Sequence, residues 1–322
     1  MNSPTFKIGV DGGGTKTEFI LVDEAGAIVT THAGPGCNPS QVGPDQAREI
    51  LAAGLTALLV QSKIEGLSAK ITATHLYMAG SPPFWREAAA TLSGFGAVTT
   101  APDSVPVLEL ATGGAPGLVL HAGTGSFVAA RATDGTIRYA GGLGWRFGDA
   151  GSGFDLGRRA IAGALLELQG WPPVGAKEIS PLAQALRAHT GLDDYAANSR
   201  FFYTDPGATA VISAFAPRVL ELAEQNCGPA QQVVADSITD LARLADQVIH
   251  QLFPVGTAGN SPERGRRAPA TPVPCGVSGR ILNSVPAAFA LRSLAAKLRW
   301  PVKLDFITTS PSEGVRRLLA GK

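Results

Sequence analysis

Ile8-Gly9-Val10-Asp11-Gly12-Gly13-Gly14-Thr15-Lys16-Thr17-Glu18-Phe19-Ile20-Leu21-Val22 runs from a short apolar strand, through a loop of small residues, into a second strand rich in β-branched and aromatic side chains. Asp23-Glu24-Ala25-Gly26 then turns the chain and Ala27-Ile28-Val29 continues as strand, so the stretch reads as a β-meander with glycine-bearing turns. The same order recurs downstream. Leu118-Val119-Leu120-His121-Ala122 is strand, Gly123-Thr124-Gly125-Ser126 is a small-residue loop, Phe127-Val128-Ala129-Ala130-Arg131 is strand, Asp134-Gly135 turns, and Ile137-Arg138-Tyr139-Ala140 is strand. Two copies sharing pattern but little identity imply an internal duplication.

Outward from these blocks, residues 46–61 carry apolar side chains at helical spacing, residues 71–78 read as a buried strand and residues 97–100 as another. Residues 154–169 are helical. Residues 217–253 read as two helices broken near Cys227-Gly228-Pro229. Residues 255–272, rich in Gly, Pro and Arg, read as a surface loop. A strand at 273–277, a helix at 287–298, a strand at 302–307 and a helix at 312–319 complete an α/β chain.

The first loop has the chemistry of an anion cradle. Three consecutive glycines permit positive φ and let the backbone approach a ligand without a Cβ. Successive free amides form an anion-binding concavity. Thr15 and Thr17 add hydroxyls, Lys16 adds charge, and Asp11 at the strand end suits a magnesium ion held through water. The stretch is not a P-loop, because it has one residue too many before Lys16 and leads into a strand rather than a helix. The plainer alternative is a tight hairpin, although three Gly and two Thr exceed what a hairpin needs. Gly123-Thr124-Gly125-Ser126 is by itself equally a turn. As the counterpart of the first loop it becomes a second phosphate cradle.

Asp103 follows Pro102 at a strand end and is a candidate general base for a hydroxyl. Its local sequence fits better an N-cap of the helix that starts near Val105. Residues 141–153 hold too many glycines for a packed element, and Asp149 within them is either a ligand for sugar hydroxyls or another helix cap.

These motifs resemble the N-acetylglucosamine kinase and BadF-type ATPase family of the actin, hexokinase and Hsp70 superfamily. Residues 8–17 resemble its first phosphate motif, and Ala122-Gly123-Thr124-Gly125-Ser126 its second. Residues 141–153 resemble its G-G-x-G…G-D-E-G-S-G stretch, with Ala150 where Glu is usual. Cys275-Gly276-Val277-Ser278-Gly279-Arg280-Ile281 resembles its adenosine motif, and Pro311-Ser312-Glu313-Gly314 its C-terminal element.

The resemblance implies a duplicated ribonuclease-H-like fold, with two domains around a nucleotide cleft. One domain is expected at 1–108 plus 306–322 and the other at 109–305. It implies ATP- and magnesium-dependent phosphorylation of an amino-sugar hydroxyl, the 6-hydroxyl of N-acetylglucosamine or glucosamine. Phosphate would lie on Gly12, Gly13, Gly14, Thr15, Lys16, Thr17, Gly123, Thr124, Gly125 and Ser126, and the metal by Asp11. Asp103 matches the catalytic Asp, which reverses the local preference for a cap. Asn38, Gly80, Thr124, Gly142 and Asp149 match positions near the sugar, and Gly276 and Gly279 positions near adenosine. A homodimer is a further expectation from the resemblance. The alternative is an ATPase of the same fold that drives or regulates a partner protein without phosphorylating a sugar.

Composition bounds these readings. The chain has 322 residues, 45% hydrophobic and 16% charged, with net charge +1 and 39 glycines. Disorder is excluded by the apolar content, and the neutral balance gives no footprint for nucleic acid or anionic membrane. Cys37, Cys227 and Cys275 are too far apart for an iron–sulfur or zinc ligand set. No signal peptide or membrane span is read, so a cytoplasmic protein is expected.

Overall fold

The computed structural model describes residues 4–62, 70–254 and 272–321. Its contacts divide the chain into two units, Met1–Gly114 with Thr309–Lys322, and Ala115–Thr308. The first unit opens with β1 (Thr5–Gly12), β2 (Lys16–Val22) and β3 (Ile28–Pro35). It continues with α1 (Pro39–Val42), α2 (Pro44–Gln61), β4 (Lys70–Met78), α3 (Pro82–Thr91), β5 (Ala97–Pro102) and α4 (Ser104–Thr112). The sheet order is β3-β2-β1-β4-β5, with β1–β2–β3 antiparallel and β1, β4 and β5 parallel.

The second unit holds β6 (Gly117–Ala122), β7 (Ser126–Arg131), β8 (Ile137–Gly141) and α5 (Gly153–Leu168). Helices α6 (Pro181–Thr190), α7 (Tyr195–Thr204), α8 (Ala208–Ala214), α9 (Ala216–Glu224) and α10 (Gly228–Leu252) follow, then β9 (Val273–Ser278), α11 (Val285–Lys297) and β10 (Val302–Phe306). The closing helix α12 (Pro311–Leu319) returns to the first unit. The second sheet is ordered β10-β9-β6-β7-β8, again a three-stranded meander beside two parallel strands. The duplication expected from the strand–loop–strand pattern is therefore present in the connectivity.

Alternation builds the first sheet. Ile8, Val10, Phe19, Leu21, Leu76 and Met78 pack on one face with α2 and α3 residues, and Ile20, Val22 and Tyr77 pack with Val315 and Leu319 of α12. Gly9 lets α12 lie on bare backbone, since a Cβ there would collide with Val315. In the second unit α10 supplies Val234, Ile238, Leu241, Ala242, Ala245 and Ile249 to the core at helical spacing. Among the described residues no helix is long and apolar enough to cross a membrane.

The helices α6 to α8 were not expected from the sequence. Ser180 and Pro181 signal the start of α6, with Ser180 accepting from the Ala183 amide. Helix α7 buries only Asn198 and α8 only Ala208, so neither writes an apolar stripe. The loop expected at 255–272 lies, apart from Pro272, outside the described residues.

Two glycines of α5 make opposite predictions. Nothing lies within 4 Å of a Cβ on Gly163, whereas one on Gly157 would collide with the Ile212 carbonyl of α8. Gly163→Ala is expected to stabilise the protein by about 0.5–1 kcal/mol through helix propensity. Gly157→Ala should destabilise it, and paired denaturant titrations read both signs.

Candidate functional site

Strand direction gathers the first group of candidates at one end of the first sheet. The carboxyl ends of β1, β3, β4 and β5 and the amino end of β2 all lie there. Residues 11–14, Lys16, residues 36–38, Gly80 and Asp103 therefore share that end. The first loop is a tight turn, with the Gly13 amide donating to the Lys16 carbonyl at 3.0 Å. It is stitched to the end of β3 by Gly36 N–H to Thr15 O (3.1 Å) and Cys37 N–H to Gly13 O (3.2 Å). The Ala79 amide donates to Gly12 O at 2.8 Å. The side chain of Asn38 caps α1 through the Ser40 amide, and a Cβ on Gly80 (φ 97°) would stand 2.8 Å from Asn38 Oδ1. Lys16 pairs with Glu18 at 3.0 Å, and Glu18 also accepts from the Ser310 hydroxyl.

Burial dominates the titration of two half-buried carboxyls at this end. Burial raises Asp11 from 3.8 to about 7; the negative charges of Asp103 and Glu18 add to the rise, and Lys16 opposes it. Burial raises Asp103 to about 6, against the opposing pull of the Asp103 and Ser104 amides. Asp103 occupies the N-cap position of α4 but makes no capping hydrogen bond. The third helical residue is Pro106, which has no N–H to offer.

The second sheet repeats the arrangement. Residues 123–125 leave β6, residues 142–152 leave β8, and Gly279 leaves β9, all at one sheet end. The Gly123 carbonyl accepts from the Gly153 amide at 2.8 Å, which places the start of α5 against the loop. Asp149 is buried, and its Oδ1 accepts from the Gly144 amide at 2.9 Å. Burial raises its pKa, opposed by the amides of Gly144 and Leu143. Ser152, not Asp149, caps α5. Gly279 (φ 92°) abuts the Ala122 backbone so closely that any Cβ would collide with it.

Comparison with known proteins matches residues 8–257 to the model of the BadF/BadG/BcrA/BcrD ATPase family. The chain belongs to that family. No curated protein matches it in sequence. Among solved structures, a proposed N-acetylglucosamine kinase from Chromobacterium violaceum is 25% identical, with 98% of each chain covered and a TM-score of 0.74. A second proposed N-acetylglucosamine kinase, from Porphyromonas gingivalis, is 22% identical over 96% of this chain and 97% of that one, with a TM-score of 0.69. A ROK family glucokinase from Streptomyces griseus, solved with glucose and AMPPNP, is 15% identical over 98% of each chain, with a TM-score of 0.54. The last two show the fold alone. The chain has the actin-like α/β fold, with the ribonuclease-H-like unit present twice.

Not every residue singled out reaches its loop mouth. Thr17 is fully buried and its hydroxyl donates to the Pro35 carbonyl, because alternation along β2 turns it into the sheet. Ser126 is buried, and its hydroxyl donates to the Ala150 carbonyl at 2.7 Å. Gly276 sits in mid-strand between β6 and β10. Gly12, Gly13 and Gly14 do not adopt positive φ; they are small because neighbours are close. A Cβ on Gly12 would stand 2.5 Å from Met78 Cε, and one on Gly14 2.7 Å from Gln41 Oε1. Gly36, Glu18, Asp155 and Ser237 hold these sites in place and had no role in the sequence reading. Only the backbone pairing of β3 with β2 could have pointed to Gly36.

The raised carboxyls of the first unit carry a pH signature. With the folded pKa of Asp11 above its unfolded value, the folded state holds an extra proton between about pH 4 and pH 7. That stabilisation is full below about pH 4 and is lost as pH rises through 7. Asp11→Asn removes the loss. The variant's Tm should exceed the wild type's by a few degrees at pH 8 and converge with it towards pH 4, where 1 kcal/mol moves Tm by roughly 2–8 °C. Melting curves from pH 4 to 8 read the difference, and parallel curves would exclude a charged, desolvated Asp11.

Proposed function

We propose that this protein transfers the γ-phosphoryl group of ATP to a hydroxyl of an amino sugar, the 6-hydroxyl of N-acetylglucosamine or glucosamine. The observation that carries the reading is Asp103: a half-buried carboxyl with a pKa near 6, at a strand end, not used as the cap its position suggests. A base of that pKa is largely ionised at neutral pH yet still basic enough to take a hydroxyl proton. The Chromobacterium violaceum neighbour, similar over almost the whole chain, supports the substrate class. ATP fits the family.

On this reading Asp103 orients the sugar hydroxyl and accepts its proton. The backbone of residues 12–15, with Lys16, and of residues 123–125 cradles phosphate. Asn38, Gly80, Thr124, Gly142 and Asp149 contact the sugar, and Gly279 lies by adenosine. A magnesium ion fits Asp11. Burial, with the charges of Asp103 and Glu18, holds its carboxyl near pKa 7 by more than Lys16 offsets, and magnesium needs only one or two carboxylates beside its waters. Among the described residues no group of three or more His, Cys, Asp or Glu could form a closed metal cage. When bound, magnesium supplies charge neutralisation on the phosphates.

The test is an ADP-release assay with and without N-acetylglucosamine and glucosamine, combined with detection of sugar phosphate. Sugar-dependent ADP release with a matching sugar phosphate is expected. ADP release indifferent to sugar would reject the kinase reading in favour of an ATPase that acts on a partner, which the family's name also accommodates.

A further inference from the structure

One peptide unit in the glycine-rich loop of the second unit is gripped from both of its polar ends. The carbonyl of Ala150 accepts from the Ser126 hydroxyl at 2.7 Å. The amide of Gly151, on the other side of the same peptide bond, donates to Ser237 Oγ at 3.2 Å and to Asp155 Oδ2 at 3.3 Å. Ser237 in turn donates to Asp155 Oδ2 at 2.6 Å. Ser237 is fully buried and Asp155 is 2% exposed, so neither serves solvent.

The carboxylate at the centre is itself locked. Arg159 Nε reaches both Asp155 oxygens at 2.9 and 3.0 Å, Arg158 reaches one at 3.0 Å, and Arg159 also donates to Asp240 at 2.6 Å. Burial alone would raise the Asp155 pKa, but the Ser237 and Arg159 hydrogen bonds and the arginine charge outweigh it and hold it below the usual range. Gly151 has φ 83°, and a Cβ there would stand 2.8 Å from Leu241 Cδ2 of α10. The peptide thus sits where only glycine fits, with its direction fixed by β7, α5 and α10.

Asp149 is one residue before this peptide. Its own carbonyl accepts from Ser152, and its Oδ2 stands 3.3 Å from where a Cβ on Gly125 would be. Releasing the Ala150–Gly151 peptide would loosen the turn that carries Asp149, whose carboxylate also accepts from the Gly144 amide. We propose that Ser126, Asp155 and Ser237 are positioning residues that clamp this peptide and thereby aim Asp149 at the amino sugar. The inference rests on the sugar-kinase reading. It gives Ser126 a different task from the phosphate contact its motif suggests.

Ser237→Ala tests the clamp. The KM for the amino sugar should rise about three- to tenfold, the factor a hydrogen bond of ordinary net strength carries, with the KM for ATP unchanged. Ser237→Thr, which keeps the hydroxyl, should return the sugar KM towards wild type. Hydrogen exchange at the Gly151 amide should quicken in Ser237→Ala while the α10 amides keep their protection. Unchanged sugar KM and unchanged Gly151 exchange overturn the clamp, as does an equal rise in both KM values. A wild type that phosphorylates no amino sugar removes the kinase reading instead, and unchanged Gly151 exchange would then still overturn the clamp.

Discussion

Asp103→Asn is expected to lower the sugar-dependent kcat by about a hundred- to ten-thousandfold, the range that a positioned general base supplies, while ATP binding stays near the wild-type value. The substitution keeps the size and hydrogen-bonding shape of the side chain but cannot accept the hydroxyl proton. The wild-type pH profile should carry the same signature. With its pKa near 6, Asp103 is ionised above that pH, so kcat/KM should fall on the acid side through about pH 6 and level off above it. A capping role predicts something different. Asn is as good an N-cap as Asp, so a cap would leave Asp103→Asn active, whereas Asp103→Ala would cost about 0.5–2 kcal/mol of stability. Since Asp103 makes no capping bond, Asp103→Ala should be inactive yet about as stable as the wild type. Steady-state kinetics and melting of both variants separate the two roles, and an active Asp103→Asn enzyme would remove this residue from the chemistry.

The fold was legible where the backbone speaks through alternation. Ile8 and Val10 against Gly9, and Phe19 and Leu21 against Ile20 and Val22, write two-sided strands that any sheet would bury, and the second copy at 118–140 writes them again. Helices α7 and α8 were illegible because they contribute almost nothing apolar to the core. Asp11, Asn38, Gly80 and Asp103 were singled out through motif and resemblance, and strand direction brings them to one end of the first sheet; Asp149, singled out in the same way, lies beyond one end of the second. The departures from expectation share one cause. A loop hydroxyl or glycine looks free in sequence, but its neighbours are set by long-range pairing. The Thr17 hydroxyl is occupied by Pro35 eighteen residues away, and that of Ser126 by Ala150. Gly12 and Gly14 are crowded by Met78 and Gln41, and Gly13 by the Lys16 carbonyl, while none of the three has a positive φ. Asp155 and Ser237, 82 residues apart, meet only because α10 packs on α5.

Gly36→Ala should raise the KM for ATP by at least about tenfold, and the reason lies in that same long-range pairing. Gly36 follows β3, and its φ is not in the left-handed region, so an alanine is not excluded by its own backbone. It is excluded by the first loop. A Cβ there would collide with the carbonyl of Gly14 and stand 2.8 Å from the Thr15 nitrogen. These are backbone atoms that no rotamer change can move. Gly36 is also tied to Thr15 O, and Cys37 to Gly13 O, so residues 36 and 37 cannot simply retreat. The loop must shift, at a cost of roughly 1–3 kcal/mol for forced overpacking, and its backbone loses the geometry on which the proposed phosphate cradle depends. Gly43→Ala is the control. Its φ of 87° makes alanine strained, but nothing lies within 4 Å of the added Cβ. It should lose stability through backbone strain and keep its affinity for ATP. Nucleotide titration of both variants reads the contrast. Wild-type ATP affinity in a folded Gly36→Ala protein would show that residues 13–15 are not where the phosphates bind.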